Sequence, residues 1–514
     1  MRFGDLGSVA QASGEVWPGA GIVASRGGRR HLDRHAAAVG AAIAMLISCG
    51  RANAAPPPVS IPAPSDQTGP ASSEGAFDFL KDWRRNAGLL GDMWGLRTAL
   101  SRYGISFAVE ETSEALGNVT GGSHRGFDYD GLTQAVVQLN TQRAFGWYGG
   151  TFNVSALQIH GRNLSSDNLQ SLETASGIEA DRSTRLWELW YDQKFLEEDR
   201  LDVKIGQQSL DQEFMVSNNA LYFVNTMFGW PMLPSADLPG GGPAYPLSAL
   251  GVRAKYRPVD PINILVGVFS GSPAENPNID PQISDRSGTS LPLNRGALVI
   301  AELQYSYPSL GSMVSPGESQ PLARIYRLGA WYDTESFADQ RFDSQGLFLA
   351  DPASNGLPRQ HRGDFAIYAV ADQMVWRSTK DPNRTLSVFA RAMGTPLADR
   401  NLIDFSLNAG LVLHDPFTYR TDDTFGLGMG YTHVSGTVAA ADRDIALATG
   451  TFNPSRSSEA YVEATYQYQV TPWLQLQPDI QYVFNPGGAV ANPSDSNVRI
   501  KDELVVGART NILF

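Results

Sequence analysis

Cysteine is almost absent from this sequence, which has one, Cys49, among 514 residues. A single cysteine excludes an intrachain disulfide and a cluster of thiolate metal ligands. Charge is also scarce, because Asp, Glu, Lys and Arg make up 18% of the chain, against about 25% in typical soluble proteins. The net charge is -13, and an acidic chain without clustered Lys and Arg is not expected to bind nucleic acid.

Long apolar runs are missing too. No stretch approaches the roughly 20 consecutive apolar residues that a membrane-spanning helix needs, so a bundle of transmembrane helices is excluded. The seven histidines lack the close spacings of a zinc site, and neither a G-x-S-x-G elbow nor a phosphate loop is present. We therefore predict no enzymatic activity, no catalytic residues, no metal and no cofactor.

The N-terminal part of the chain has the composition of an export signal. Residues 26–35 are basic, and the uncharged run of about 14 small and apolar residues that follows is too short to span a membrane. Ala52-Asn53-Ala54 supplies a small-x-small cleavage pattern. These features predict a signal peptide over residues 1–54, with cleavage after Ala54.

Two details of this leader stay open. Leu46-Ile47-Ser48-Cys49 resembles a lipoprotein box, which would make Cys49 a lipidated N-terminus instead. Residues 1–22 fit no targeting pattern, so the true start of translation is predicted to lie nearer Val23 than Met1.

A linker and a short helical segment follow the leader. Residues 55–76 are rich in Pro, Ser, Gly and Ala and have little to bury, which predicts an extended linker. Residues 77–103 contain the clearest helical periodicity of the chain, and they are predicted to form a helical segment. Its apolar positions recur at spacings of three or four, at Leu89, Met93, Leu96, Leu100 and Tyr103.

From residue 104 to residue 514 the apolar residues recur with a period of two. In the stretch 459–469, Ala460, Val462 and Ala464 fall on one face and Glu463 and Thr465 on the other. Soluble sandwiches alternate as well, but their strands usually have about five or six residues, whereas a membrane barrel needs about nine to eleven. If the apolar face meets lipid, an arginine at Val462 should be far more costly than one at Glu463 or Thr465.

Such segments predict a transmembrane antiparallel β-barrel. An even number of strands, with short and long connections in alternation, is typical of bacterial outer-membrane barrels, whose closed sheet leaves no edge in the lipid. Short connections include 196–200 and 258–261, and long ones include 210–247 and 335–362. Sixteen strands are predicted, at 104–114, 132–144, 150–161, 183–195, 201–209, 248–257, 262–271, 296–306, 324–334, 363–376, 385–394, 402–413, 423–434, 458–469, 474–485 and 500–514.

The C-terminal strand carries a further signal. It ends with Val506, Ala508, Thr510, Ile512 and Phe514 at alternate positions. This ending resembles the terminal strand by which the barrel-assembly machinery recognises outer-membrane proteins, so the chain is predicted to reside in the outer membrane of a Gram-negative cell.

Four stretches resemble the carbohydrate-selective porin family of OprB type. They are WGLRTALSRYG at 94–104, LDVKIGQQSLDQEF at 201–214, GWPMLPSADLPGGGPAYPLSALG at 229–251 and VTPWLQLQPDIQYVFNPGG at 470–488. The resemblance implies a sixteen-stranded barrel with inward-folded outer loops and passive diffusion of sugars. The alternative is a barrel that binds glycans without transporting them, or an outer-membrane enzyme. Monomer and homotrimer both remain open.

The polar face of the strands supplies candidate pore-lining residues. A neutral sugar needs side chains that donate and accept hydrogen bonds, and an aromatic ring that its C–H surface can cover. Two acids of the third long connection would oppose the basic residues of the wall if that connection folds inward. The candidates are Glu188, Trp190, Asp192, Lys194, Lys204, Asp211, Glu213, Arg253, Lys255, Arg327, Trp331, Arg391 and Arg509.

Trp190 and Trp331 are the preferred sugar-stacking residues, because a tryptophan on a polar face has no packing partner in the strand pattern. Arg253 and Arg327 are predicted to set the electric field of the lumen. For any one of the charged residues, the competing interpretation is an ion pair that holds neighbouring strands in register. A register error of one residue would exchange the two faces.

Overall fold

A computed structural model describes residues 86–276, 279–308 and 321–514. The predicted leader, the cleavage site, the linker 55–76 and the first part of the helical segment lie outside these residues. Most of the connection 307–323 lies outside them as well.

Sixteen antiparallel strands close into one barrel, as predicted. Every predicted strand overlaps an observed one, and the bounds agree closely at β3, β4 and β11. The barrel strands are β1 Ile105–Thr120, β2 Gly126–Asn140, β3 Gly150–Gly161, β4 Ser183–Phe195, β5 Leu201–Gln208, β6 Ala249–Val259, β7 Ile262–Ser270, β8 Ala297–Tyr307, β9 Arg324–Asp343, β10 Pro358–Arg377, β11 Thr385–Gly394, β12 Ile403–His414, β13 Thr424–Val434, β14 Ser458–Thr471 and β15 Leu474–Phe484, then, after the small pair β16 Ala491–Asn492 and β17 Asp495–Arg499, β18 Glu503–Leu513.

The helices are short and lie in the connections. They are α1 Leu96–Arg102, α2 Thr141–Phe145, α3 Met232–Asp237, α4 Pro281–Ser284, α5 Gly436–Thr449 and α6 Pro486–Ala489, with a π turn at Ser165–Leu169 and 3-10 turns at Glu197–Asp199, Leu210–Gln212, Ala220–Tyr222, Thr226–Phe228 and Pro239–Gly241. Among the described residues, no helix has both the length and the hydropathy of a membrane span.

The helical segment 77–103 contains one short helix among the described residues, and a longer helix elsewhere was not predicted. Within the described residues the helix of this segment is α1 alone. Gly91 and Gly95 precede it with φ values of 56° and 85°, which are incompatible with a continuous right-handed helix. The longest helix, α5, was not predicted at all. Its apolar face consists largely of alanine, so it lacks a strong periodic signal, although Ser435 caps its N-terminus and Gly450 follows its C-terminus.

Alternation along the strands places apolar side chains outside and polar ones inside. On β14, Val462 is 42% exposed and points outward, whereas Tyr461 and Glu463 are buried inside the barrel. Glu463 pairs with Gln481 of β15, which also points inward. The predicted register of this hairpin is therefore confirmed.

The predicted long connection 335–362 is wrong over half of its length. Instead, β9 and β10 extend to twenty residues each and rise as a hairpin above the neighbouring strands. Register shifts between Pro358 and Gln360 and between Arg362 and Asp364 interrupt the alternation there, which hides the strand pattern in the sequence.

Strands β1 and β18 close the barrel, and the N-terminal segment holds this seam. The Phe514 backbone N–H donates to the carbonyl oxygen of Val109 at 2.9 Å. The Arg97 guanidinium of α1 binds the terminal oxygen of Phe514 and donates to the Phe107 carbonyl oxygen at 2.7 Å. The C-terminal residue is thus fixed at the end of the barrel where the short connections lie.

Candidate pore constriction

The third long connection, residues 209–248, folds into the barrel, as predicted, and carboxylates of the wall hold its backbone. Asp372 of β10 accepts hydrogen bonds from the Ser217 hydroxyl at 2.7 Å and from the Asn219 backbone N–H at 3.2 Å. Glu463 of β14 accepts from the backbone N–H groups of Val224 and Asn225 at 2.7 and 3.0 Å. We call this connection the constriction loop.

Arg391 holds the same loop from β11. Its guanidinium donates to the carbonyl oxygens of Met215 at 2.8 Å, Gly229 at 2.9 Å and Met227. The side chain is 1% exposed. The structure therefore places Arg391 beneath the loop, where it binds backbone, and not on an open pore wall as predicted.

Aromatic side chains of the loop pack against glycines of the wall. The rings of Phe223 and Phe228 stack with centroids 4.2 Å apart. They lie over the inward face of β13, where a Cβ added to Gly428 would come within 2.5 Å of the Phe228 ring. This contact was not predicted from the sequence, although Gly426, Gly428 and Gly430 recur with the period of a strand and mark a place where another group approaches the backbone closely.

Trp331 also lies under the loop. It is 2% exposed and belongs to the apolar cluster that includes Phe228, Leu233 and Tyr368. Trp331 therefore has packing partners, contrary to the prediction, and they belong to the constriction loop and not only to neighbouring strands.

Two more predicted residues, Arg327 and Arg509, form ion pairs that the loops cover. Arg327 Nη1 lies 3.1 Å from Asp372 Oδ2, and the two side chains are 8% and 5% exposed. Arg509 pairs with Glu114 across β18 and β1, where both side chains are less than 5% exposed. These pairs connect neighbouring strands, in agreement with the competing interpretation given above.

Asp211 was predicted to face the basic wall, but it does not. It lies inside the constriction loop, where it accepts hydrogen bonds from the Ser209 hydroxyl at 2.7 Å and the Tyr245 backbone N–H at 2.9 Å. Burial raises the pKa of its carboxyl to about 6, although these hydrogen bonds act in the opposite direction. Its geometry is that of a residue that shapes the loop.

The remaining predicted residues come together on β4, β5 and β6, where Glu213 of the constriction loop joins them. Lys204 of β5 lies opposite Asp192 of β4 and Arg253 of β6, and Asp202 lies opposite Lys194 and Lys255. Asp202 was missed, although it shares the polar face of β5 with Lys204. We call this group the wall cluster, which comprises Glu188, Trp190, Asp192, Lys194, Asp202, Lys204, Glu213, Arg253 and Lys255.

Glu213 joins the constriction loop to the wall cluster. Its carboxylate binds the Lys204 ammonium and accepts from Arg253 Nη2 at 3.1 Å. Arg253 also binds Asp202 and lies 3.8 Å from Asp192. The Lys204 ammonium lies 4.3 Å from the centroid of the Trp190 ring. The cluster therefore interleaves cations, carboxylates and one indole ring.

Exposure separates several residues of the wall cluster from the covered pairs, although Arg253, at 6%, is as buried as Arg327. The side chains of Lys204, Glu213 and Lys194 are 13%, 19% and 46% exposed, although they point into the barrel. Inward-facing groups with this access to water must border the open part of the lumen. The opposite wall, from β8 to β15, is occupied by the constriction loop.

A second inward connection, residues 162–182, contains a carboxyl that was not predicted. Glu179 accepts hydrogen bonds from the Ser165 backbone N–H at 3.2 Å and from its hydroxyl at 3.0 Å. Burial raises its pKa to about 8 from the ordinary 4.5, although both hydrogen bonds lower it. The sequence carried little signal for this residue, because its burial depends on how the connection folds.

The raised pKa of Glu179 predicts a pH-dependent stability. A carboxyl with a raised pKa in the folded state favours folding while it is protonated, and this contribution is lost as the pH rises from about 4.5 through about 8. Glu179→Gln should therefore flatten the pH profile of the thermal midpoint over that range. Near-UV circular dichroism of both proteins between pH 5 and 9 measures it, and parallel profiles would contradict the assignment.

Comparisons with known proteins agree with this architecture. The family model for the carbohydrate-selective porins, OprB family, matches residues 124–514. The chain is 28% identical over 450 residues to Porin B of Pseudomonas aeruginosa, covering 83% of this chain and 91% of that protein. It is 23% identical over 423 residues to the putative porin QuiX of Acinetobacter baylyi, covering 78% and 89%.

A solved structure gives the same answer. The high-pH structure of Pseudomonas putida OprB is similar with a TM-score of 0.72 and 26% identity, covering 84% of this chain and 99% of that one. The chain is therefore an outer-membrane protein and belongs to the carbohydrate-selective porin family of OprB type.

Proposed function

We propose that this porin lets glucose-like mono- and oligosaccharides diffuse passively into the periplasm, and that they pass between the constriction loop and the wall cluster. The observation that carries the proposal is the water access of Lys194, Lys204 and Glu213 in the wall cluster, in contrast to the covered charges under the loop. No bond is made or broken in such a process, so we propose that the chain is not an enzyme.

The composition of the wall cluster suits a neutral polyhydroxylated solute. Sugar hydroxyls both donate and accept, and the cluster offers ammonium and guanidinium donors beside carboxylate acceptors within one small area. Because the charges neutralise one another, neither a cation nor an anion is strongly favoured. Each contact is weak and replaceable, which a pore requires if the solute is to leave as well as enter.

Trp190 is our candidate for sugar stacking. Lys204 covers part of its ring, and we propose that the remaining surface meets the C–H face of a pyranose. Trp331 is not proposed for this role, because its ring is packed against the constriction loop. Arg253 is proposed to balance Asp202 and Glu213 and so to keep the lumen without strong ion preference.

Planar-bilayer recordings test these roles. Wild type should show stepwise conductance that sugar blocks, and Trp190→Ala should weaken the block while ion current stays the same or rises. Arg253→Gln removes one positive charge from the wall cluster and leaves it with a net negative charge, so it should shift the reversal potential toward cation selectivity. A Trp190→Ala channel with unchanged sugar block would contradict our assignment. A wild-type protein that is silent in bilayers would instead support a non-transporting glycan-binding barrel or an enzyme.

We also propose that residues 1–54 are removed on export and that residues 55–76 form a linker. We further propose that the barrel-assembly machinery recognises Phe514, and that the outward face of the assembled barrel contacts outer-membrane lipid. The intact mass of the mature protein should correspond to an N-terminus at Ala55. A diacylated Cys49 at the N-terminus would contradict the cleavage site.

Deletion of Phe514 should slow assembly, since it removes the aromatic end of the seam, and an undiminished membrane yield would count against that role.

A further inference from the structure

An open cleft of about 630 Å³ lies on the outward face of β1, β15 and β18, at the end of the barrel where the long connections lie. Its floor consists of outward side chains of two paired strands, Leu504 of β18 and Tyr482 of β15. Its rim consists of Arg125, in the connection between β1 and β2, and Lys501, in the connection that leads into β18. The cleft therefore combines an apolar floor with a cationic rim, and we call it the seam cleft.

Two connections of the chain meet closely at the seam cleft. Gly121 has a φ of 69°, and a Cβ there would come within 2.2 Å of the Asp502 carbonyl oxygen and within 2.6 Å of that of Lys501. The Thr120 hydroxyl accepts a hydrogen bond from the backbone of β18 at 3.0 Å. The glycine and this hydrogen bond bring the connection that carries Arg125 against the one that carries Lys501, so both cations border one cleft.

The depth of the seam cleft follows from aromatic residues on the same face. Tyr482 lies two residues beyond Ile480 along β15, toward the long connections, and its ring centroid is 4.7 Å from that of Phe484. Both aromatic side chains are exposed on the outward face, at 38% and 42%. Aromatic residues near strand ends mark the interfaces of a membrane barrel, and its long connections lie on the external side. The cationic rim therefore lies at the level of the headgroups of the outer leaflet.

The protein does not neutralise the two cations of the rim. Within the part of the chain that the structure describes, neither the Arg125 nor the Lys501 side chain forms an ion pair or a hydrogen bond. Both residues are exposed. The acid among the lining residues, Asp502, accepts the Asn485 backbone N–H at 3.0 Å. A rim with two free cations and one engaged carboxylate attracts an anion.

We propose that the seam cleft binds a phosphorylated lipid of the outer leaflet, with its phosphate at Arg125 and Lys501 and its acyl chains over Leu504 and Tyr482. A guanidinium offers a phosphate two parallel N–H donors, and an ammonium adds a point charge. Basic side chains beside a membrane attract anionic headgroups. Free phosphate would gain the attraction of the rim but not the contact with the floor, so the lining favours a lipid over the free ion.

Native mass spectrometry of the purified protein tests this site, with bisphosphorylated lipid A as the probe. Arg125→Gln combined with Lys501→Gln should weaken lipid A binding roughly twenty-five-fold, at about fivefold for each cation lost. Arg102→Gln combined with Lys380→Gln is the matched control, because it removes the same two kinds of charge from exposed positions at the other end of the barrel. The control should bind lipid A like the wild type. In a comparison that needs no variant, the wild type should bind fully dephosphorylated lipid A as weakly as the Arg125/Lys501 variant binds the bisphosphorylated form.

Inorganic phosphate at the same concentration separates the lipid from the free ion. Displacement of lipid A by inorganic phosphate would overturn the proposal, because binding would then depend on the charge alone. Equal lipid A binding by the two double variants would overturn it as well, because the lipid would then attach without the seam cleft. The heat-dependent gel shift of each variant shows whether its barrel is folded, and its bilayer conductance shows whether its pore is intact, so a loss of lipid binding is not confused with a failure of the barrel or of sugar diffusion.

Discussion

Arg391→Leu should open the channel, with a higher single-channel conductance and weaker block by sugar. The guanidinium of Arg391 binds three carbonyl oxygens in two separate parts of the constriction loop, one at Met215 and two at Met227 and Gly229. It therefore ties these two parts of the loop to β11.

The energetic cost of the Arg391→Leu substitution can be estimated from the carbonyl oxygens that would lose their hydrogen-bond donor. If the loop kept its position in the leucine variant, three buried carbonyl oxygens would lose their donor, at about 1 to 3 kcal/mol each. If the loop instead leaves the barrel toward the external solution, water can solvate these oxygens, and the lumen becomes wider. We therefore expect displacement of the loop to be more favourable than an unchanged constriction.

Gly428→Leu should displace the same loop in the opposite sense, toward the wall cluster, and should lower the conductance. A Cβ at Gly428 would come within 2.5 Å of the Phe228 ring, so a leucine would push the loop away from β13 without removing a hydrogen bond. Arg443→Leu is the control, because Arg443 lies on α5 and donates to the Ser455 hydroxyl in an exposed contact. Bilayer conductance that is unchanged in both Arg391→Leu and Gly428→Leu would show that the loop does not form the constriction.

The barrel could be predicted from the sequence because its information is local. Each strand alternates between two faces, and a closed sheet requires the same pattern from all of them. The bulge in β4 is an exception to this alternation. There Ser155 and Ala156 of β3 pair with Glu188 and Leu186, so Trp187 is extra and points inward beside Glu188. No alternation rule predicts such an insertion.

The site was predictable only in part, because a side chain that faces the barrel interior is not always accessible to water in the lumen. Trp190 and Trp331 look equivalent along their strands, yet one lies in the wall cluster and the other beneath the constriction loop. The difference depends on contacts between residues far apart in the chain, such as those of Arg391 with Met215. A strand pattern contains no information about the path of a loop.

The loop also changes which substitutions can report on the register of the barrel. Arginine at Glu463 or Thr465 is not the inexpensive change that the sequence analysis expects. Glu463 is fully buried and holds the backbone of Val224 and Asn225. An arginine there would lose these contacts and meet the loop. Gln475 on β15 is a better inward position, because it is partly exposed and bonds to the side chains of Gln469 and Asn511.

Ile480→Arg and Gln475→Arg therefore form a matched pair on one strand. Ile480 points outward, pairs with Ala464 and is 46% exposed, so its arginine would lie among acyl chains and lower the free energy of unfolding by roughly 2 to 4 kcal/mol. The arginine at Gln475 faces water and other polar groups, and it should change the same quantity by about 1 kcal/mol or less. Urea unfolding in lipid vesicles measures both. Equal losses would mean that the outward face of β15 does not meet hydrocarbon, because only the lipid distinguishes the two positions so strongly.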